Sequence, residues 1–383
     1  MAKDIHEKAF GDGTKTKLEL VRLYIREWLP VFFKHHSITW KEIEIYDYFA
    51  ASGTDTEGNY GSPLILLEEL TVYCLETISK NIKVRLIVND YDKNKIAKLE
   101  TNIKAVLEKC RKGAHCVECK KSNRPPFEIQ IENRDFSEFF NSKFLTLKEN
   151  TSIPRFMFID QYGMKFVTPE LFKKLTGLER TDILFFISSS HVKRFAEQKE
   201  FQHYLKISRQ VFDENKPAHV HRVISDYFKS QKPAGKEYYL SSFSLKKESN
   251  PNIYGLIFGS NHPLGIEKFL NVAWKIDKNT GEADYNIDND GILEGKISLF
   301  PEDNVIRKLD KFKTDLLQYM SQPRTNKDVY IFSLESGISI KKSNDILKSL
   351  EKDGKLNIVG IDRQKGAFYL SFNHKKEISI AAK

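Results

Sequence analysis

The stretch Glu42-Ile-Glu-Ile-Tyr-Asp-Tyr-Phe-Ala-Ala-Ser-Gly53 decides how this chain is read. Glu42 to Phe49 has the pattern of a short strand. Ala50-Ala-Ser-Gly53 is a turn of small residues, followed by a polar loop that reaches Gly61. Ser62-Pro63 then opens a helix, since proline in the first turn has no needed N–H to lose and a preset φ. Leu64, Leu67, Val72 and Leu75 carry that helix to about Ser79. Small residues after a strand of an open α/β sheet let the backbone approach a ligand at the strand's carboxyl end.

The same grammar repeats outward. Before the strand, Leu18, Val21, Ile25, Leu29 and Phe32 recur at helical spacing over 14–34, and Pro30 predicts a kink or break. After it come strand patterns at 84–88, 127–131, 156–159 and 183–187, separated by helical patterns at 94–109, 137–141 and 168–176. A helical stretch over 191–230 follows, then strand patterns at 237–245 and 252–259 that pair as a hairpin. Strands alternating with helices predict a parallel sheet covered on both faces. Five parallel strands finished by a hairpin is the layout of class I S-adenosylmethionine (SAM) methyltransferases, a Rossmann-like α/β fold. From Asn304 the pattern becomes three helices (304–321, 326–335, 340–352) and two strands (356–361, 367–372) around Asp362-Arg-Gln-Lys-Gly366, which is a winged helix. The expected domains are 1–303, carrying insertions at 110–126 and 191–235, and 304–376.

Composition bounds the rest. The 383 residues are 40% hydrophobic and 30% charged, ordinary for a soluble globular protein. No run of about 18 apolar residues predicts a membrane span, and the start MAKDIHEKAFGDG lacks a secretory pattern, so a cytoplasmic location is expected. Net charge is +9, and residues 307–376 alone hold 15 Lys+Arg against 8 Asp+Glu. Local basicity of this kind suits a polyanion partner or a solvated lysine-rich surface. Lys341, Lys342, Asn344 and Lys348 on the outer face of the third helix, with Arg363 and Lys365 of the wing turn, are the candidate nucleic-acid contacts.

The candidate chemistry lies at the strand ends. Asp47, Phe49, Ala51 and Gly53 occupy the places of a D-x-F-x-G-x-G cofactor loop, with alanine at the first glycine. Asp90, after the second strand, is placed to accept both ribose hydroxyls of SAM, with Asp92 as a substitute; either is also an ordinary turn aspartate. Asp135, after the third strand, is placed to bind the adenine amino group or to cap the next helix. Asp160-Gln-Tyr-Gly163 follows the fourth strand, where amino-methyltransferases carry D-P-P-Y-like motifs; Asp160 and Tyr162 are the catalytic candidates, although Gln161 replaces the first proline. Cys110, Cys116 and Cys119 offer three zinc ligands, with His115 an awkward fourth, or else free thiols in a surface loop. His262 is read as part of a structural turn.

Several short segments together resemble the three-Cys-motif partner protein family, TcmP. They are Trp28-Leu-Pro30, Tyr46-Asp-Tyr-Phe-Ala50 with Gly61-Ser-Pro-Leu64, Phe158-Ile-Asp-Gln-Tyr-Gly163, His262-Pro-Leu-Gly265 with Ala273-Trp-Lys275, and Pro323-Arg-Thr-Asn326. The resemblance covers nearly all of the chain up to the wing. It implies a methyltransferase-like fold of bacteria and archaea and a separate companion protein bearing a three-cysteine, radical-SAM-like motif. The expected function is SAM-dependent methylation of nucleic acid or a nucleotide beside that companion. The other reading is a non-catalytic nucleic-acid-binding or adaptor protein on the same scaffold.

Overall fold

A computed structural model describes residues 8–383 apart from 35–39, 113–124, 162, 164, 203, 248–250, 289–306, 361–362 and 375. The strands of the main sheet are β1 (Glu42–Asp47), β2 (Lys83–Asn89), β3 (Glu128–Glu132), β4 (Arg155–Ile159), β5 (Thr181–Ile187), β6 (Tyr239–Lys246) and β7 (Ile253–Ser260). They lie in the order β3-β2-β1-β4-β5-β7-β6, the first five parallel and β7 antiparallel to both neighbours. This is the class I methyltransferase sheet that the strand pattern predicts.

Helices cover both faces. They are α1 (Asp12–Phe33), α2 (Ser62–Thr71), α3 (Cys74–Ser79), α4 (Lys93–Lys112), α5 (Phe136–Glu149), α6 (Pro169–Thr176), α7 (Ser189–Phe195), α8 (Lys199–Gln202), α9 (Arg209–Asp213), α10 (Val220–Ser230) and α11 (Pro263–Ile276). The period-2 alternation of β4 divides the core. Phe156 and Phe158 join the cluster under α1, α2, α4 and α11, while Met157 and Ile159 join the one under α5, α6 and α10. Pro30 does not break α1: it falls in the last turns, where Lys34 N–H still reaches its carbonyl at 2.9 Å.

α1 runs from the carboxyl edge of the sheet to its amino edge. At the amino edge Tyr24 Oη and Trp28 Nε1 donate to the buried Asp182 Oδ2 at 2.7 and 3.0 Å. Burial pushes this carboxyl up to about 6 against the three hydrogen bonds that favour its anion, from Ser260, Tyr24 and Trp28. Gly265 completes the corner: a Cβ there would stand 2.4 Å from Ser260 Oγ and 2.7 Å from Asp182 Oδ1. His262 therefore lies at the amino edge, where its Nδ1 accepts from Leu264 N–H as the N-cap of α11.

The C-terminal module holds α12 (Lys308–Tyr319), β8 (Arg324–Thr325), α13 (Asn326–Glu335), α14 (Ile340–Lys352), β9 (Leu356–Val359) and β10 (Ser379–Ala382). The wing differs from expectation. β9 pairs with 379–382, and 367–372 forms no strand. The far partner wins because Asn326 fixes the chain on either side: its Nδ2 donates to the carbonyls of Tyr369 and Lys376, and its Oδ1 accepts from Ile378 N–H. No described helix is long and apolar enough to cross a membrane.

Trp274 docks this module on the first. Its Nε1 donates to Gly337 carbonyl at 3.0 Å, and Lys308 and Lys342 each place an ammonium 5.4 Å from its ring. Glu282 adds an ion pair to Lys308 and another to Arg222, and Tyr330 donates to Glu267. Trp274→Ala is expected to cost about 3–5 kcal/mol in urea unfolding and to raise amide exchange first in α13 and α14. A cost below about 1 kcal/mol would mean that the two modules dock without it.

Candidate active site and nucleic-acid interface

β1 is the point where strand order reverses, since its parallel neighbours β2 and β4 lie on opposite sides. Ligands of open α/β sheets bind in the crevice outside such strand ends. Asp47 ends β1, Asp90 follows β2 and Asp160 follows β4, so three of the sequence-predicted carboxylates come to one edge. Their charges sense one another. Asp47 is fully buried, and that burial, reinforced by the charges of Asp160 and Asp90, pushes it up to about 7 although the Ser62 hydroxyl and Phe49 N–H favour its anion. Its Oδ2 finds no hydrogen-bond donor among the described residues.

The loop after β1 is shaped by backbone. Ala51 sits at φ 49° and Gly53 at φ 80°, both left-handed. The first glycine of the pattern is thus replaced by alanine at a position that favours glycine. Asp90 Oδ2 accepts from Ala51 N–H at 2.9 Å and holds it there, while Asp90 Oδ1 accepts from Asp92 N–H. At Gly53 a Cβ would meet Leu99 at 2.8 Å. Phe49 turns its ring to Phe136 and Phe166 and joins the loops after β1, β3 and β4 in one aromatic cluster. Asp135 stands apart: its Oδ1 accepts from Ser137 and Glu138 N–H and caps α5.

Side-chain amides fix the edge, and no spacing or motif in the sequence marks them for that role. Asn89 donates to the carbonyls of Tyr48 and Arg134 and accepts from Arg134 N–H, tying the ends of β1, β2 and β3. Gln161, buried, donates to Phe186 carbonyl and accepts from Phe166 and Val167 N–H, tying the loop after β4 to β5. Gln161 is therefore a loop fastener at the place where the motif has proline. Tyr162 lies outside the described residues.

Lys17 of α1 is the second group that sequence reasoning missed. Only 5% exposed, it donates to Asp160 Oδ2 and stands 4.8 Å over the Phe186 ring. Tyr91, beside Asp90, is 78% exposed. A hollow of about 480 Å³ opens between the small-residue loop and α4, lined by Ser52, Thr54, Lys98 and Asn102; none of the three carboxylates lines it. Cys110 is a free thiol near the end of α4, while Cys116 and Cys119 lie outside the described residues. Among the described residues no group of three His, Cys, Asp or Glu side chains could hold a metal.

The candidate nucleic-acid contacts divide. Lys341, Asn344 and Lys348 line a hollow of about 720 Å³ on α14, and Lys365 is exposed. Lys342 does not face outward: helical phase turns it over Trp274. Arg363 is not available to phosphate either. It pairs with both oxygens of Glu351 at 2.8 and 2.9 Å and donates Nε–H to Ala367 carbonyl.

Asp47 has a folded-state pKa above its ordinary value of 3.8. Its contribution to stability is fully present below pH about 4 and is lost as pH rises through about 7, because the unfolded carboxyl ionises first. Asp47→Asn is expected to shrink the fall in guanidinium midpoint between those two pH values relative to the wild type. Equal falls in both proteins would show that Asp47 ionises as freely folded as unfolded.

Residues 286–362 match the model of the GMT-like wHTH domain. Two solved structures that match the chain are the O-methyltransferase TomG from Streptomyces achromogenes, involved in tomaymycin synthesis, in complex with SAM, and Trm1 from Pyrococcus horikoshii with S-adenosyl-L-methionine. The first is 13% identical over 63% of this chain and 79% of that one, at a TM-score of 0.32. The second is 11% identical over 100% of this chain and 94% of that one, at 0.35. No curated protein matches the chain in sequence. The class of the sheet rests on its own strand order, and the C-terminal module is a winged helix-turn-helix of the GMT-like type.

Proposed function

We propose that the chain is a SAM-dependent methyltransferase acting on nucleic acid or a nucleotide, beside a three-Cys-motif companion of the kind its TcmP resemblance implies. The observation that carries the reading is the gathering of Asp47, Asp90 and Asp160 at the strand-order reversal. The residues fit the cofactor on one count of their own. The buried Asp47 oxygen that finds no donor among the described residues is an acceptor that a ligand ammonium could fill, drawing the carboxyl to its anion. SAM, when bound, supplies an electrophilic methyl group.

The chain's own residues would divide the work. Asp90 offers its remaining lone pairs to the ribose hydroxyls while holding Ala51 in place. The backbone of Ala51 and Gly53 would line the methionine, exposed Tyr91 would be free to stack on the base, and Asp135, whose Oδ1 caps α5, would keep its other oxygen for the adenine amino group. Asp160 would serve the acceptor side, where the sequence motif alone also assigns Tyr162.

One feature favours the adaptor reading: Asp160 is already paired with Lys17, so an acceptor amine would have to displace a buried ammonium. Calorimetry with SAM and S-adenosylhomocysteine separates the two. Both ligands should bind the wild type, and Asp90→Ala should weaken each by at least about tenfold, the scale of a lost hydrogen bond to a charged group. No heat from either ligand at millimolar concentration removes the enzyme reading and leaves the adaptor.

A further inference from the structure

We propose that the winged helix seats single-stranded nucleic acid in the hollow between α14 and the 366–373 segment, and does not insert α14 into a duplex groove. This rests on the nucleic-acid half of the reading above and is independent of whether SAM binds. Lys341, Asn344, Asp345 and Lys348 are spaced i, i+3, i+4 and i+7, so they form one face of α14. That face looks onto a hollow of about 720 Å³ whose opposite wall is the chain's own segment from Gly366 to Ser371, with Asn373. A helix about 10–12 Å across already fills a major groove about 12 Å wide. A second segment standing along its outer face leaves no room for it to enter.

The wall is held in place at several points. Asn326 binds Tyr369 carbonyl, Arg363 binds Ala367 carbonyl, and Phe368 and Leu370 are buried in the core. It nevertheless pairs with no strand. Among the described residues Phe368, Leu370 and Ser371 form no backbone–backbone hydrogen bond, which leaves amide donors beside the hollow. Tyr369, which lines it, is held at φ 51°, a genuine outlier for a bulky residue and the kind of strain that surrounding structure must impose. Exposed Lys341 and Lys348 have no ion-pair partner among the described residues. Lysines for the phosphates and an aromatic residue in the lining, Tyr369, partly buried against the core, are the parts of a single-strand seat. The volume falls within the roughly 300–1,000 Å³ of small-ligand pockets, room for a nucleotide and not for a duplex.

The test uses the full chain and fluorescence anisotropy with three labelled probes of one mixed sequence: single-stranded RNA and DNA of about 12 nucleotides, and the corresponding duplex. Either single strand should bind at least about tenfold tighter than the duplex, with affinity falling as salt rises; the stronger of the two names the natural source. Lys341→Glu with Lys348→Glu should weaken single-strand binding by about tenfold or more and flatten the salt dependence. Tyr369→Ala should weaken it without changing the salt slope. Lys348→Gln, at an exposed position, serves where the double variant fails to fold. Duplex binding equal to or tighter than single-strand binding overturns the proposal. So does indifference to the Lys341 and Lys348 changes, or no binding to any of the three probes. SAM calorimetry on the same variants keeps the two failures apart, since none of these residues lies at the sheet edge.

Discussion

β1 has to pair in parallel with β2 on one side and with β4 on the other, and a parallel partner is reached only through a crossover. The chain therefore leaves β1 in one direction and later returns in the other. The two sets of loops part at its carboxyl end, the place where open α/β sheets bind ligands. Asp47 lies at that end, with no access to water. A carboxyl so placed resists ionising, and the neighbouring carboxylates deepen the resistance. Positive charge is what this edge lacks. Lys17 brings one ammonium from α1 and directs it to Asp160.

Glycine-rich cofactor loops owe their shape to backbone freedom, whereas this edge owes much of its shape to side-chain amides. Asn89 and Gln161 each join segments that are far apart in sequence, and Asn133 donates to the carbonyls of Asp90 and Tyr91. An alanine at left-handed φ costs roughly 1–2 kcal/mol. The Asp90 hydrogen bond to Ala51 N–H offsets part of it. The same carboxylate thus shapes the loop and remains at the rim with lone pairs to spare, which makes the loop's geometry depend on Asp90.

What the sequence made legible was local. β4 and β5 read as apolar runs because central parallel strands are buried on both faces. Asp47, Asp90, Asp135 and Asp160 were legible because each follows a readable strand, although only the structure separates Asp135, a helix cap, from the other three. α11 was missed behind His262-Pro-Leu-Gly265, which reads as a turn, although Ile266, Leu270 and Ala273 continue at helical spacing. The 367–372 strand was expected because its side chains suit one; Asn326 and the pairing with 379–382 overrode that local preference. Lys17 was invisible because it meets a residue 143 positions away, and no spacing rule reaches so far. Lys342 and Arg363 were misassigned for a related reason: a lysine-rich helix does not announce which lysine turns inward, nor a wing arginine its ion pair.

α11 connects these parts. Its first turn closes over Asp182 at the amino edge, where Gly265 leaves room for the carboxylate and Trp28 of α1 donates to it. β7 runs toward that edge, so α11 must run back toward the edge that holds the cofactor candidates. Near its end Trp274 takes Lys342, on the first turn of α14, onto its ring. At the other end His262 packs edge-on against Phe372, which follows the wall of the basic hollow. The C-terminal module is thus laid along α11 from one edge of the sheet to the other. The segments around His262 and around Trp274 then serve one purpose. They fix the direction in which the winged helix faces the sheet edge, which neither module sets alone.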